Sequence, residues 1–171
     1  MRIEVVSYNT DWPAAYVREQ AKLARALGSV LCQAHHIGST SVPNLKAKPV
    51  IDILLEVTSL EGLDAVSLKM AELGYEVMGE FGIEGRRYFR KGGHNRTHHV
   101  HAFVSGDANV SRHLAFRDYL KAHLEVAQEY GDLKASLASR YADNNEAYCD
   151  GKDAFIKMYE TRALLWWDTG K

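Results

Sequence analysis

Proline and cysteine are scarce in this chain of 171 residues, with three of the first and two of the second. Cys32 and Cys149 stand far apart, in a spacing that suits neither a zinc site nor a disulfide framework. They read as free thiols, as expected of a cytoplasmic protein. No apolar run is long enough to span a bilayer. Residues 1–6, MRIEVV, lack the apolar stretch of a signal peptide. Charge of one sign is missing too: 21 Lys and Arg face 22 Asp and Glu, for a formal net charge of −1. That excludes a strongly basic whole-chain footprint, so nucleic acid and membrane are not the expected partners. With no low-complexity linker and no internal repeat, the length suits one domain over 1–171. Its α/β portion is expected over 1–105 and its helical portion over 106–171.

Hydrophobic residues make up 46% of the chain, enough for a sizeable core without staples. A short extended piece covers 3–8. Thr10 or Asp11 can cap a helix that has Pro13 in its first turn, and Trp12, Tyr16, Leu23 and Leu27 recur at helical spacing up to Gly28. Strands are predicted over 30–37 and 50–57. Ser59 can cap a helix whose stripe is Leu60, Leu63, Val66, Met70 and Leu73, closed by Gly74. Further strands fall at 75–78, 86–91 and 97–104, the last two joined by a turn at Gly92, Gly93 and Asn95. From 109 onward the pattern is helical, with breaks expected at Gly131 and at Asn144-Asn145. Leu164, Leu165, Trp166 and Trp167 form an apolar end that either docks on the domain or serves a homodimer contact.

The informative stretch is His36-Ile37-Gly38-Ser39-Thr40-Ser41-Val42-Pro43, followed by Lys46-Ala47-Lys48-Pro49 and the strand at 50–57. A strand running into Gly-Ser can gather backbone N–H groups and hydroxyls around an anion. In the strand, Ile51, Ile53, Leu55 and Val57 share a core face, and Val50, Asp52, Leu54 and Glu56 share the other. A carboxylate on an apolar strand is costly to bury without a partner. That partner is either a bound metal or simply a basic neighbour.

The run HIGSTSVPNLKAKPVIDI resembles the signature of the GrpB family, a group placed in the nucleotidyltransferase superfamily. The resemblance extends over nearly the whole chain. It includes Gly74-Tyr75, Arg87 with Phe89, His99-Val100-His101, Phe116-Arg117-Asp118-Tyr119-Leu120, Tyr130 with Leu133-Lys134, and Tyr148 with Lys152. It implies a nucleotidyltransferase-like mixed β-sheet with flanking helices and a helical C-terminal extension. It also implies a Gly-Ser turn followed by a carboxylate strand that holds Mg²⁺ or Mn²⁺. Gly38, Ser39 and Asp52 match that pattern, but Leu54 stands where the second carboxylate belongs, and Glu56 lies two residues further on. Some members of the family are fused to dephospho-coenzyme A kinase.

On the strand at 97–104, His99, His101 and Phe103 share one face. Two imidazoles at this spacing can share a metal, donate to phosphate or act as acid and base; equally, they can be half-buried sheet residues. One of His35 and His36 is expected to point to the same cleft, while His94, His113 and His123 are assigned no role. In the helical half, Arg117, Lys134 and Lys152 each fall on an apolar stripe, the last two beside Tyr130 and Tyr148. They either converge on a phosphorylated ligand or snorkel and pair locally. Arg86, Arg87 and Arg90, with Lys46 and Lys48, could add to such a pocket.

The expected site therefore has Asp52 and His101 in catalytic roles and Asp52, Glu56 and His101 on a metal. Gly38, Ser39, Thr40, Lys48, Arg87, His99, Arg117, Lys134 and Lys152 would bind a nucleotide or another phosphorylated small molecule. The expected function is transfer of a nucleoside monophosphate to an acceptor. The alternatives are a non-catalytic phosphometabolite-binding module and a metal-dependent hydrolase.

Overall fold

The strand β2 (Ile51–Val57) centres the fold because it is apolar on both faces: Ile53, Leu54, Leu55 and Val57 have no exposed surface. In the computed structural model, which describes residues 2–170, it pairs antiparallel with β1 (Leu31–Ile37) and parallel with β5 (His98–Val104). The sheet continues antiparallel through β4 (Arg87–Lys91) and β3 (Tyr75–Val77), in the order β1-β2-β5-β4-β3. The result is a mixed α/β fold with a five-strand mixed sheet and flanking helices.

One face of the sheet is hydrocarbon. Ile51, Ile53, Leu55, Val57, Val100 and Ala102 meet Leu23 and Leu27 of α1 (Trp12–Leu27), Leu63 of α2 (Leu60–Ala65) and Met70 of α3 (Ser67–Glu72). The single helix expected after Ser59 is two short ones, broken at Val66. The Ser59 cap itself forms, its side chain accepting from the Gly62 N–H. Glu19, buried on the inner side of α1, accepts from Tyr75 Oη and from Lys91 Nζ, each at 2.6 Å, and so fixes the helix to the far strands. Burial raises its pKa, and these bonds outweigh that to hold it below the usual value.

The opposite face is covered by α4 (Ala108–Ala122), α5 (Leu124–Arg140) and α6 (Asn145–Asp168). The first helical break falls at His123, whose φ of −124° and ψ of 82° are not helical, and not at Gly131. Gly131 lies within α5 because it serves packing: a Cβ there would stand 3.2 Å from Leu45 Cδ1 and 3.5 Å from the Lys46 backbone nitrogen. Trp166 packs edge-on against Tyr119 and His123, so this part of the apolar C-terminal end docks on α4 of its own chain. Ile3 is buried with Leu137, Ala138 and Tyr148, which ties the first extended segment to the helical layer. Among the described residues no helix is long and apolar enough to cross a membrane.

Leu54 explains why β2 carries no carboxylate two residues after Asp52. It packs with Ile37, Phe103 and Val110 where α4 meets the sheet, and has no exposed surface. Leu54→Asp therefore does not restore a metal site; it buries an unpaired carboxylate among hydrocarbon. We expect a loss of about 4 kcal/mol or more, enough to threaten folding. Urea denaturation of the variant beside Leu54→Ala checks this, and a near-neutral Leu54→Asp would contradict the packing account.

Candidate functional site

The parallel register puts Asp52 directly beside His99, on the face that looks toward α4–α6. His99 Nδ1 lies 3.3 Å and His101 Nε2 3.4 Å from the same carboxylate oxygen, Oδ1. The other oxygen, Oδ2, faces the turn after β1: a Cβ on Gly38 would stand 2.6 Å from it. Gly38 has a φ of 72°, so the turn needs glycine both for its backbone and for this approach. Burial pushes the Asp52 pKa up, but hydrogen bonds from His101 and His99, with their charge when protonated, hold the carboxyl well below its usual range.

The far side of His101 is also engaged. Arg86 Nη1 is 3.4 Å from His101 Nδ1, while Arg86 Nε and Nη2 donate to the Glu80 and Phe81 carbonyls. A guanidinium can only donate, so Nδ1 accepts and the Nε2–H is the one given to Asp52. His113, to which the sequence assigned no role, packs against His101 with ring centroids 5.6 Å apart. Burial, with Arg112 nearby, lowers its pKa to about 3. Its sequence signal was its place on the α4 stripe with Val110 and Leu120, both of them buried.

Two connected lobes open on either side of Asp52, sharing Gly38, Ser39, Asp52 and Tyr130. The first, about 300 Å³, is lined by Lys48, Lys134, Lys152, Thr40, His99, Tyr148 and Cys149 as well. Lys134 is only 2% exposed, and its Nζ has no hydrogen-bond partner among the described residues. It lies 4.5 Å from the centroid of the Tyr130 ring. Burial and the neighbouring Lys152 push its pKa down to about 6, despite the opposing pull of Asp52. The Tyr148 ring lies between Lys48 and Lys152, 5.2 and 4.6 Å away, and its buried hydroxyl also lacks a partner. Burial likewise lowers the pKa of Lys152 and raises those of Tyr130 and Tyr148.

The second lobe, about 260 Å³, holds Arg117, Arg112, His101 and His113. Its arginines are already committed. Arg112 pairs with Glu160 at 2.9 Å. Arg117 pairs with Asp118 at 2.9 Å and donates to the His36 carbonyl at 3.2 Å. Arg117 thus braces the end of β1, and the three inward-facing cations are divided two to one between the lobes.

Three expectations fail on position. Arg87 faces the opposite side of the sheet, across from Ala102, and pairs with Asp64 at 2.8 Å. Its strand alternation places it away from the cleft, while Arg86 and Tyr88 face inward. Glu56 is on the face of Asp52 but further along β2, where it accepts from His35 at 2.6 Å and from Ser105 at 3.1 Å. Neither His35 nor His36 lines a lobe: His36 stacks on Tyr16 and bonds Thr40 Oγ1 at 2.9 Å. Burial, with Lys121 and Arg117, lowers the His36 pKa to about 4.

The expected magnesium or manganese ion does not suit this donor set. Such ions take mainly carboxylate and water oxygens, and Asp52 is the one carboxylate lining the lysine lobe. The imidazole nitrogens nearest it are turned on Asp52 itself, leaving no lone-pair set that converges on an ion. Among the described residues no group of three or more His, Cys, Asp and Glu side chains is arranged to hold a metal.

Comparison with known proteins agrees with this architecture. The family model for the GrpB protein matches residues 2–162. UPF0157 protein YqkA of Bacillus subtilis is 46% identical over 165 residues, which are 96% of this chain and 48% of YqkA; the chain thus spans about half the length of that relative. UPF0157 protein SCO7215 of Streptomyces coelicolor is 32% identical over 95% of this chain and 85% of its own. Dephospho-CoA kinase of Mycobacterium leprae is 26% identical over 96% of this chain and 47% of its own. The crystal structure of conserved protein GrpB from Enterococcus faecalis superposes with a TM-score of 0.93 at 44% identity, over 96% of this chain and 99% of that one. The match of sequence and fold along nearly the whole length makes this chain a member of the GrpB family.

Proposed function

We propose that this protein binds a phosphorylated small molecule in the lysine lobe, on an α/β scaffold of nucleotidyltransferase type. The observation that carries the reading is a pair of buried donors without acceptors, Lys134 Nζ and Tyr148 Oη, in one cavity. Leaving such donors unsatisfied costs on the order of 1–3 kcal/mol each, more for a charge. A phosphate supplies several acceptor oxygens and the negative charge that three lysines lack. Asp52 offsets only part of that charge, since it is one carboxylate against three ammonium groups. The cavity has room for more than the phosphate alone. Relatives named dephospho-CoA kinase make dephospho-CoA one compound to test.

Nucleotidyl transfer is the less supported use of this scaffold. It relies on metal-bound carboxylates, and here Leu54 is packed as hydrocarbon while Glu56 is spent on His35 and Ser105.

Lys134 makes the reading testable through pH. Its pKa is about 6 in the fold against 10.5 as the unperturbed value. Between those values the unfolded chain holds a proton that the folded protein does not, so stability rises with pH across the window and the penalty is largest below about 6. Lys134→Met removes the buried donor and this slope. We expect a gain on the order of 2 kcal/mol near neutral pH and a flatter pH profile in chemical denaturation. A variant less stable than wild type would argue that Lys134 is satisfied in the fold.

An anion that restores the charge of Lys134 must bring a proton with it. Sulfate serves as the probe because it does not titrate here. Calorimetry at pH 8 in buffers of different ionisation enthalpy should show net proton uptake and an affinity that weakens as pH rises above about 6. Phosphate and dephospho-CoA should raise the melting temperature of wild type, and Lys134→Met should abolish that rise. Equal shifts in wild type and variant would refute the lysine lobe as the binding site.

A further inference from the structure

We infer that the cleft has a second, outer anionic subsite, so that its ligand carries two separated anionic groups. This rests on the lysine-lobe reading and extends it. A larger chamber of about 540 Å³ adjoins the lysine lobe and shares Lys48, Val50, His99 and Cys149 with it. Its other charged lining groups are Arg90, Arg96 and Asp143. With Lys48 it therefore sets three basic side chains against one carboxylate.

Two of its guanidinium atoms, Arg96 Nη1 and Arg90 Nε, are buried with no hydrogen-bond partner among the described residues. Arg90 Nε lies 3.5 Å from Glu76 Oε1, an ion pair without a hydrogen bond to an acid that is about half exposed, and so a weak surface pairing. Arg96 sits in the turn between β4 and β5. That turn is closed by hydrogen bonds from Asn95 N to Gly92 O and from Thr97 N to Lys91 O. Arg96 lies close enough to Tyr88 to oppose the rise that burial and Asp52 give the Tyr88 pKa. An arginine N–H held without an acceptor is the same signal that marks Lys134, and arginine suits a phosphate or carboxylate as a two-pronged donor.

Lys48 lines both chambers, so one ligand passing it engages both ends. The inner group meets Lys134, Lys152 and Tyr148, and the outer group meets Arg96 and Arg90. Linking two weak anion contacts in one molecule raises affinity without a new kind of interaction.

The test is calorimetric titration of the protein with orthophosphate and with inorganic tripolyphosphate, on wild type, Arg96→Gln, Arg96→Lys and Arg162→Gln. The last removes the same charge from an exposed position on α6. Wild type and Arg162→Gln should bind tripolyphosphate at least tenfold more tightly than orthophosphate. Arg96→Gln should lose that gain while its orthophosphate affinity stays within twofold of wild type, and Arg96→Lys should keep part of it. Melting curves confirm that each variant folds. A gain that survives in Arg96→Gln, or an equal loss in Arg162→Gln, overturns the outer subsite. So does a wild type that binds both anions equally. Orthophosphate that fails to bind wild type at all overturns the lysine-lobe reading and this one with it.

Discussion

Burial of Lys134 beside Lys152 and Lys48 is the constraint on which the rest of the cleft depends. An ammonium group so buried, with that of Lys152 close by, keeps its proton poorly without an anion. The fold supplies only a partial answer in Asp52, which raises the pKa of Lys134 but does not bring it back to the normal range. Asp52 in turn is worth having only if it stays ionised in a half-buried position. That requires His99 and His101 on one of its oxygens and a residue without a side chain, Gly38, against the other. The chemistry of the lobe is thus set by sheet register. A slip of one residue between β2 and β5 would turn both histidines to the hydrocarbon face.

The two faces of the sheet divide the work. Behind it, aliphatic side chains from α1–α3 supply the bulk of the burial, and Glu19 locks that layer in place. In front, α4 both packs and braces. Val110 covers Leu54, Arg117 holds the end of β1 by its carbonyl, and Arg112 is neutralised by Glu160 on α6. The cations of the second lobe are partnered within the fold, whereas Lys134 of the first is not. On the proposed reading, that contrast separates structural charge from charge available to a ligand, and no residue count makes it.

Much of this was legible in the sequence, for reasons of periodicity. Strict alternation along 51–57 and 98–104 identified the core face and put Asp52, His99 and His101 on the other. The 3.6-residue stripes of the C-terminal half turned Lys134 and Lys152 inward. Less legible was anything decided by contact across layers. Arg87 looked like its neighbours until strand pairing turned it toward Asp64. Glu56 shared a face with Asp52, yet strand rise carried it away to His35. Gly131 read as a break, but a helix tolerates glycine when a loop must approach it closely, as Leu45 and Lys46 do. Arg86 and His113 were visible as residues but not as partners of His101, since the segments that bring them there meet only in the fold.

The same contrast bears on what kind of site this is. A cleft arranged for metal-assisted transfer concentrates carboxylates and leaves their oxygens open to an ion. Here the nearby oxygens and nitrogens are spent on one another: His99 and His101 on Asp52, Glu56 on His35, Glu160 on Arg112. Among the described residues, the buried side-chain atoms of the cleft without a hydrogen-bond partner are Lys134 Nζ and Tyr148 Oη within and Arg96 Nη1 and Arg90 Nε further out. Donors left unsatisfied lower the stability of the free fold, and a bound acceptor would return that stability. The surplus of buried donors over acceptors, more than any single residue, is what the proposed anionic ligand would offset.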